Sequence, residues 1–247
     1  MKLKKTDWKY KIILILAAAA LLFAAARLGQ FLWEYYGGRQ EYGRLEELAV
    51  QGEAAEGQGF FVDFDELQKI NPDVIGWIRL EDLGISYPIV QGKDNEYYLH
   101  HTFYNKENKC GCIFMEVENA PDFSDQNSFL YGHNMKDRSM FAKLNEFREE
   151  ETYRKNPEFF IYTPEGTGRY EIFSCYATEL KGDAFLCQFA NEETYGEWQQ
   201  RTVERSLYDT GVKVSPKQKT VTLMTCTPAG GRERFLVHGV LADFYED

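Results

Sequence analysis

The sequence predicts a mainly β domain whose strands close, or nearly close, into an antiparallel barrel, preceded by one N-terminal transmembrane helix. Eight short segments are rich in aromatic and β-branched residues, and Gly, Asn, Asp or Pro separates most of them. Only two longer stretches within the domain have a helical pattern. Many short strands with few helices are typical of a closed barrel rather than of a doubly wound sheet.

An apolar segment near the N-terminus predicts the transmembrane helix. Residues 12–26 carry no charge, and continuing to Trp33 gives about 20 residues, enough to cross the core of a bilayer. Lysines crowd residues 1–11, which predicts a cytoplasmic N-terminus and an extracellular domain. A cleaved signal peptide is the alternative, since residues 24–26 are all Ala. Apolar character resumes beyond them, which favours an uncleaved anchor over residues 12–33.

A stalk is expected to lead from the membrane to the folded domain. Residues 34–59 are charged and rich in Glu, Gln and Gly, with a partly helical pattern around residues 45–50. The domain is expected to cover residues 60–247. It opens with a short helix that Asp63 can cap and that the Asn71-Pro72 pair ends.

The strands and two further helices follow in order. Predicted strands cover residues 74–80, 85–91, 111–117, 128–134, 159–164, 169–180, 219–226 and 234–244. Helical patterns cover residues 139–155 and 191–209.

Composition argues against several classes of function. The net charge is −11, whereas a nucleic-acid-binding face requires clustered positive charge. The sequence contains neither a zinc-type His/Cys cluster nor a Gly-rich phosphate loop, so we expect no metal and no cofactor.

The five cysteines are an odd number, which leaves at least one thiol unpaired in an exported protein. Cys110 and Cys112 are too close in a strand to bridge comfortably, and Cys175 and Cys187 are expected to be small buried residues rather than a disulfide.

The segment VTLMTCTPAGGRERF, residues 221–235, indicates that Cys226 is the reactive thiol. Cys226 ends an apolar strand, and nearby positive charge favours the thiolate form of a cysteine. If the flanking strands form a hairpin, Arg234 lies near Cys226, whereas Arg232 belongs to the loop and can turn to solvent. The glycines of the loop permit close backbone approach, so the N–H of Thr227 would be available to stabilise an oxyanion.

Among the four histidines, His133 has the most suggestive position. It ends an apolar strand, and strand ends form the rim of a barrel, where side chains from different strands converge. His100 and His101 belong to a predicted loop, and His238 shares one face of its strand with Arg234.

Three segments resemble the His, Cys and Arg segments of the sortases, the membrane-anchored transpeptidases of Gram-positive bacteria: YGHNMKDRSMFAKL (131–144), TLMTC (222–226) and RFLVHGVL (234–241). Three more are similar to class B sortases in the same order: FDELQKINPDVIGWIRL (64–80), YPIVQGKDNEYYL (87–99) and GCIFME (111–116). The TCTPAGG loop is more similar to the pilus-assembling class C, whereas no class C lid segment precedes the domain.

The resemblance implies an eight-stranded sortase-type barrel, antiparallel or mixed, with a few peripheral helices. It implies that Cys226 is the nucleophile, His133 the general acid and base, and Arg234 the stabiliser of the oxyanion. It also implies that the enzyme cleaves a C-terminal sorting signal similar to NPQTN after Thr, through a thioacyl intermediate, and transfers the protein to a peptidoglycan amine. Positions that match the substrate groove of the family are Asn95, Leu99 and Thr225; Asn134, after the histidine, can simply cap a turn.

The implied partners are the sorting-signal peptide, a peptidoglycan precursor amine (lipid II or a cross-bridge) and the cytoplasmic membrane. The implied location is the cell membrane, with a single crossing and the catalytic domain outside. Three alternatives remain open: a pilin-polymerising sortase with a lysine acceptor, a secreted cysteine protease, and a membrane-tethered binding module with an incidental thiol.

Overall fold

The computed structural model describes residues 8–49, 60–229 and 231–246. Eight strands in this part of the chain are β1 Val74–Leu80, β2 Ile85–Val90, β3 Ile113–Met115, β4 Asn127–Tyr131, β5 Glu158–Thr163, β6 Gly166–Glu179, β7 Thr220–Cys226 and β8 Glu233–Tyr245. They form one closed barrel in the order β1-β2-β3-β4-β7-β8-β6-β5, which confirms the predicted fold class.

The barrel is mixed rather than purely antiparallel. Strand β2 pairs with β3 in parallel, and β4 pairs with β7 in parallel, whereas the other neighbouring pairs are antiparallel. A parallel pair requires a long connection, and here residues 132–219 separate β4 from β7. Of the two arrangements predicted, antiparallel or mixed, the structure therefore has the mixed one.

The helices around the barrel are α1 Trp8–Ala49, α2 Phe64–Ile70, α3 Tyr97–His100, α4 Glu150–Lys155 and α5 Glu192–Glu204, with 3₁₀ helices at Ala142–Arg148 and Gly182–Phe185. Helix α2 begins as predicted, because the Asp63 carboxylate accepts a hydrogen bond from the Glu66 N–H at 3.0 Å. Helix α5 begins at the predicted place, where Asn191 forms a capping box, but it ends five residues early.

The continuous helix predicted over residues 139–155 is wrong. Its first part is the 3₁₀ helix, and Glu149 then has an extended backbone (φ −97°, ψ 121°) before α4 begins. Packing accounts for the break, since Leu144 and Phe147 are fully buried and the Arg148 guanidinium lies 5.0 Å from the ring centre of Phe235. Tertiary contacts thus override a helical sequence pattern in this segment.

Aromatic and branched aliphatic side chains fill the core of the domain, both inside the barrel and beneath the helices that pack on it. The largest fully buried side chains are Trp77, Trp198, Tyr98, Tyr195, Phe103, Phe129, Phe141, Phe147, Phe159, Phe173, Phe235 and Leu45. Burial of this kind stabilises the fold by about 25 cal/mol per Å² of apolar surface.

All five cysteines are free thiols, and the predicted buried position of Cys175 is confirmed, whereas Cys187 is half-exposed.

Helix α1 has two parts with different surroundings. Its N-terminal part contains an apolar stretch that is long enough to cross a membrane and is not buried against the protein. Its C-terminal part packs on the barrel through Tyr42, Leu45 and Ala49, which are buried, and the Tyr42 hydroxyl donates to the Gly111 carbonyl at 2.5 Å. The helix therefore continues through much of the predicted stalk, to Ala49; residues 50–59 lie outside the described part of the chain.

Candidate active site

Cys226 is the last residue of β7 and is half-buried. Its Cα pairs with that of Arg234, near the start of β8, so the two strands form the hairpin that the sequence indicates. Arg232 lies in the connecting loop and is exposed, as expected. The hairpin thus brings one of the two arginines, and only that one, beside the thiol.

His133 reaches the same rim through the neighbouring strand. Strand β4 ends at Tyr131, three residues earlier than predicted, and Tyr131 pairs with Met224 of β7. The Gly132 N–H extends this parallel ladder by donating to the Met224 carbonyl at 3.1 Å. His133 and Cys226 each follow that pair by two residues, so they lie side by side.

The imidazole of His133 is held by the backbone of α3. Its Nε2 lies 2.8 Å from the Leu99 carbonyl oxygen. Because a carbonyl oxygen only accepts, Nε2 carries a proton and Nδ1 is the nitrogen left to accept one. Burial lowers the pKa of His133 below 6.5, the hydrogen bond to Leu99 opposes this shift, and the charge of His100 adds to it. The neutral imidazole is therefore favoured at neutral pH.

One cavity of about 440 Å³ joins these side chains, and we call it the donor cavity. Cys226, His133 and Arg234 all line it. The three predicted substrate positions also line it: Asn95, Leu99 and Thr225. Its remaining walls, except for one glycine, are large apolar or aromatic side chains: Phe114, Tyr131, Leu180 and Met224. A thiol, an imidazole and a guanidinium therefore share an apolar cleft that is suited to an extended peptide.

Sequence reasoning missed those four wall residues, although period-two alternation could have found two of them. Tyr131 and Met224 each precede a predicted site residue by two positions on a strand, which places them on the same face. Phe114 follows from its pairing with Tyr131 in the β3–β4 ladder. Leu180 carries no such signal, since it lies just beyond the end of β6.

Asn95 lines the donor cavity, but its amide group is already bonded within the protein. Its Nδ2 donates to the Glu116 carboxylate, and its Oδ1 accepts from the Val117 N–H at 2.9 Å. The same carboxylate accepts from the Tyr131 hydroxyl at 2.5 Å. Glu116 therefore holds two walls of the cavity in place, a role that no sequence pattern indicated.

The guanidinium of Arg234 folds over its own loop. Its Nη1 donates to the carbonyls of Gly231 at 3.1 Å and Glu233 at 3.0 Å. These contacts use one nitrogen, so the rest of the planar donor fork is left to face a ligand.

The backbone N–H of Thr227, the predicted donor to an oxyanion, is hydrogen-bonded across the hairpin. It donates to the Glu233 carbonyl at 3.4 Å, at the loop end of the hairpin. That distance is long for an N–H···O hydrogen bond, so the bond is weak. The N–H would have to leave this carbonyl to reach an oxyanion.

A further histidine, His238, is structural. It is fully buried, and its Nδ1 lies 2.9 Å from the Thr222 hydroxyl. In the described part of the chain, no group of three or more His, Cys, Asp or Glu side chains could hold a metal ion.

Comparison with known proteins places this arrangement in context. A family model for the sortase domain matches residues 78–242. Sortase B of Listeria monocytogenes is 36% identical over 178 residues, which are 71% of this chain and 72% of that protein. Sortase B of Staphylococcus aureus is 32% identical over 166 residues, covering 67% and 68%.

Solved structures agree with these matches. Sortase B from B. anthracis in complex with AAEK1 superposes with a TM-score of 0.75 at 32% identity, over 86% of this chain and 99% of that one. A sortase B–substrate complex from Staphylococcus aureus superposes with a TM-score of 0.74 at 27% identity, over 85% and 98%.

Proposed function

Because this chain belongs to the sortase family of cysteine transpeptidases, we propose that Cys226 cleaves a sorting signal similar to NPQTN after its Thr and that the protein is then transferred to a peptidoglycan amine. The observation that carries the proposal is the shared cavity of Cys226, His133 and Arg234. The structural neighbour from Staphylococcus aureus, solved with its substrate, supports a peptide as the ligand of this cavity.

The first half of the reaction replaces a C–N bond with a C–S bond. The Cys226 sulfur attacks the carbonyl carbon of the Thr residue, and the thiol proton passes to Nδ1 of His133. The C–N bond then breaks, and the imidazolium gives that proton to the departing amine. A neutral resting imidazole suits this order of events, because it must first accept a proton.

Arg234 is proposed to stabilise the negative oxygen that forms during attack. Arg234 lines the donor cavity with Cys226, and its guanidinium has donors beyond Nη1, the nitrogen that binds its loop. The Thr227 N–H is proposed as a second donor, freed from its weak bond to Glu233 when a stronger acceptor arrives. Loss of one such donor typically slows a reaction by about 10²–10³-fold.

The second half of the reaction sets the enzyme apart from a protease. An incoming amine attacks the thioester carbonyl, a C–N bond forms, the C–S bond breaks and the sulfur recovers a proton. A secreted hydrolase would use water at this step, and a pilin-polymerising enzyme would use a lysine amine. We propose a cell-wall amine because the relatives are class B sortases.

We also propose that the N-terminal apolar part of α1 anchors the enzyme in the membrane, with the lysine-rich end inside and the barrel outside. The length and composition of the helix support an anchor, and the lysines within residues 1–11 support this orientation. The acceptor precursor is made at the membrane, so the anchor would keep the enzyme beside it.

The test is mass spectrometry of the full-length protein in detergent micelles after mixing with an NPQTN-containing peptide. The parent protein should gain the mass of the peptide cut after Thr, and Cys226→Ala should not. Addition of triglycine should then divert the product from the free acid to the amide. Cleavage by Cys226→Ala at the parent rate would refute the nucleophile assignment, and failure of triglycine to divert product would favour the protease.

A further inference from the structure

Cys226 lies at the junction of two cavities. Besides the donor cavity, it lines a groove of about 550 Å³ with Thr227 and Pro228 on one side and Asn145 and Glu146 on the other. Among the residues that line the two cavities, only Cys226 belongs to both. The acyl group stays on the Cys226 sulfur until the second substrate attacks it, and a second cavity that shares only this residue gives that substrate a separate approach.

The chemistry of this groove differs from that of the donor cavity. Asn145 donates from Nδ2 to the Cys226 carbonyl at 3.2 Å, and its Oδ1 is buried with no hydrogen-bond partner in the described part of the chain. Glu146 is the one carboxylate among the residues that line this groove, beside the exposed cations Lys136 and Arg138. A buried acceptor without a donor is unfavourable, and together with a carboxylate it favours a cationic N–H donor as the ligand.

Glu146 is already paired, but with an exchangeable partner. Arg138 lies 2.5 Å from the Glu146 carboxylate, and the two side chains are 67% and 37% exposed, respectively. Exposed ion pairs contribute at most about 1 kcal/mol. An incoming ammonium can therefore replace the Arg138 guanidinium at little cost.

The groove also leads towards α1. Met135 and Arg138 line both the groove and a cleft of about 390 Å³ between α1 and the barrel, whose other walls include Arg39 and Glu46. An acceptor that is attached to a membrane lipid would approach along α1, since that helix carries the apolar stretch.

From these observations we propose that the groove is the acceptor site, in which Glu146 and Asn145 bind the ammonium of the incoming amine and Arg138 competes with it. The ammonium releases one proton to water before the attack, and the second proton that the nitrogen loses on forming the amide passes through Nδ1 of His133 to the Cys226 sulfur. This inference rests on the proposed transpeptidase function and names the residues that would select its second substrate. Because Glu146 and Arg138 form one ion pair, removal of the Glu146 charge should weaken binding of the amine, and removal of the Arg138 charge should strengthen it.

The experiment measures how the ratio of amide to acid product depends on amine concentration, with the full-length protein in detergent and the same donor peptide. Glu146→Gln should raise the KM for triglycine about 2–5-fold, and Arg138→Gln should lower it about 2-fold, since each change removes one exposed charge. Hydroxylamine, which is uncharged at neutral pH, should show neither effect. The matched control is the ion pair of Glu150 and Arg154 on α4, 2.8 Å apart and outside the groove, whose Gln variants should leave both nucleophiles unaffected.

The outcomes separate this inference from the function on which it rests. Opposite shifts for triglycine and none for hydroxylamine would support the acceptor site. Shifts in the same direction, or shifts no larger than those of the control pair, would overturn the site while leaving the transpeptidase in place. Absence of any thioacyl adduct in the parent protein would overturn the proposed function and the acceptor site with it.

Discussion

The Cα atoms of Cys226 and Arg234 are paired directly across the hairpin of β7 and β8. Directly opposite residues of antiparallel strands project their side chains to the same face, so Arg234 lies on the face of the hairpin that carries the thiol, and both residues line the donor cavity. Arg232, two residues earlier, is exposed and does not line the donor cavity. Both arginines follow Cys226 closely in the sequence, and the register of the hairpin is what places only Arg234 opposite it.

Arg234→Ala should lower kcat/KM for the sorting-signal peptide by about 10²–10³-fold, because it removes a charged donor to the oxyanion. Arg234→Lys should recover only part of this loss, since an ammonium lacks the planar donor fork. Arg232→Ala is the control and should keep nearly full activity. Equal losses from Arg232→Ala and Arg234→Ala in a peptide-cleavage assay would contradict the assignment.

The pH dependence of kcat/KM should show an acidic limb whose midpoint lies below 6.5, because burial lowers the pKa of His133. Activity should fall as the pH decreases through that midpoint, since the protonated imidazole cannot accept the thiol proton. His100→Gln removes a nearby positive charge and should move the midpoint upward. A midpoint above 6.5 in the parent protein would show that the Leu99 hydrogen bond outweighs burial.

Glu116→Ala should weaken peptide binding more than it slows the chemical step. The Glu116 carboxylate fixes Tyr131 and Asn95, two walls of the donor cavity, and its removal leaves their donors without a partner. We expect KM to rise about fivefold, equivalent to about 1 kcal/mol, with a smaller change in kcat. Glu118→Ala, an exposed carboxylate two residues away, is the matched control. A loss confined to kcat would place Glu116 in the chemistry instead.

The stability of the domain should decrease as the pH falls from about 6.5 towards 3, because His238 stays neutral when folded. The Thr222 hydroxyl donates to Asn127, so it accepts from Nδ1–H of His238, and Nε2 is left as a bare, buried nitrogen. Burial lowers the pKa of His238 to about 3. The unfolded chain binds a proton in this range and the folded chain does not, so the free energy of unfolding falls by on the order of 4 kcal/mol.

Urea unfolding of the parent protein and of His238→Phe at a series of pH values measures this effect. The Phe variant should show a flatter dependence between pH 6.5 and 3, whereas His101→Gln, at a half-buried surface site, should not. Identical slopes for the parent and His238→Phe would contradict the buried neutral histidine.

The fold class, and the presence of Cys226, His133 and Arg234 at one rim of the barrel, could be predicted because the sequence signals for them are local. Short aromatic strands predict a barrel, and the hairpin of β7 and β8 follows from two strands joined by a Gly-rich loop. The position of His133 follows from a strand end, although β4 stops earlier than its apolar pattern suggests.

The rest depends on contacts between distant parts of the chain. No local pattern encodes the parallel pairing of β4 with β7, because residues 132–219 lie between them. The break at Glu149 follows from how Leu144 and Phe147 pack, and the weak bond of the Thr227 N–H depends on where the loop returns to Glu233. Glu116 has partners 15 and 21 residues away, a spacing that no motif records.

Helix α1 runs without interruption from Trp8 to Ala49, so the part suited to lipid and the part seated on the barrel turn as one rod. Tyr42 lies nine residues beyond Trp33, which corresponds to about 14 Å of helical rise. If the N-terminal part of α1 were held in a bilayer, the helix would fix both the distance of Cys226 from the lipid headgroups and the direction in which its cavities open. A substrate attached to a lipid would then have to span a nearly constant distance from the bilayer to Cys226. Inserting or deleting part of a helical turn in α1 would rotate the opening of the active site away from that substrate.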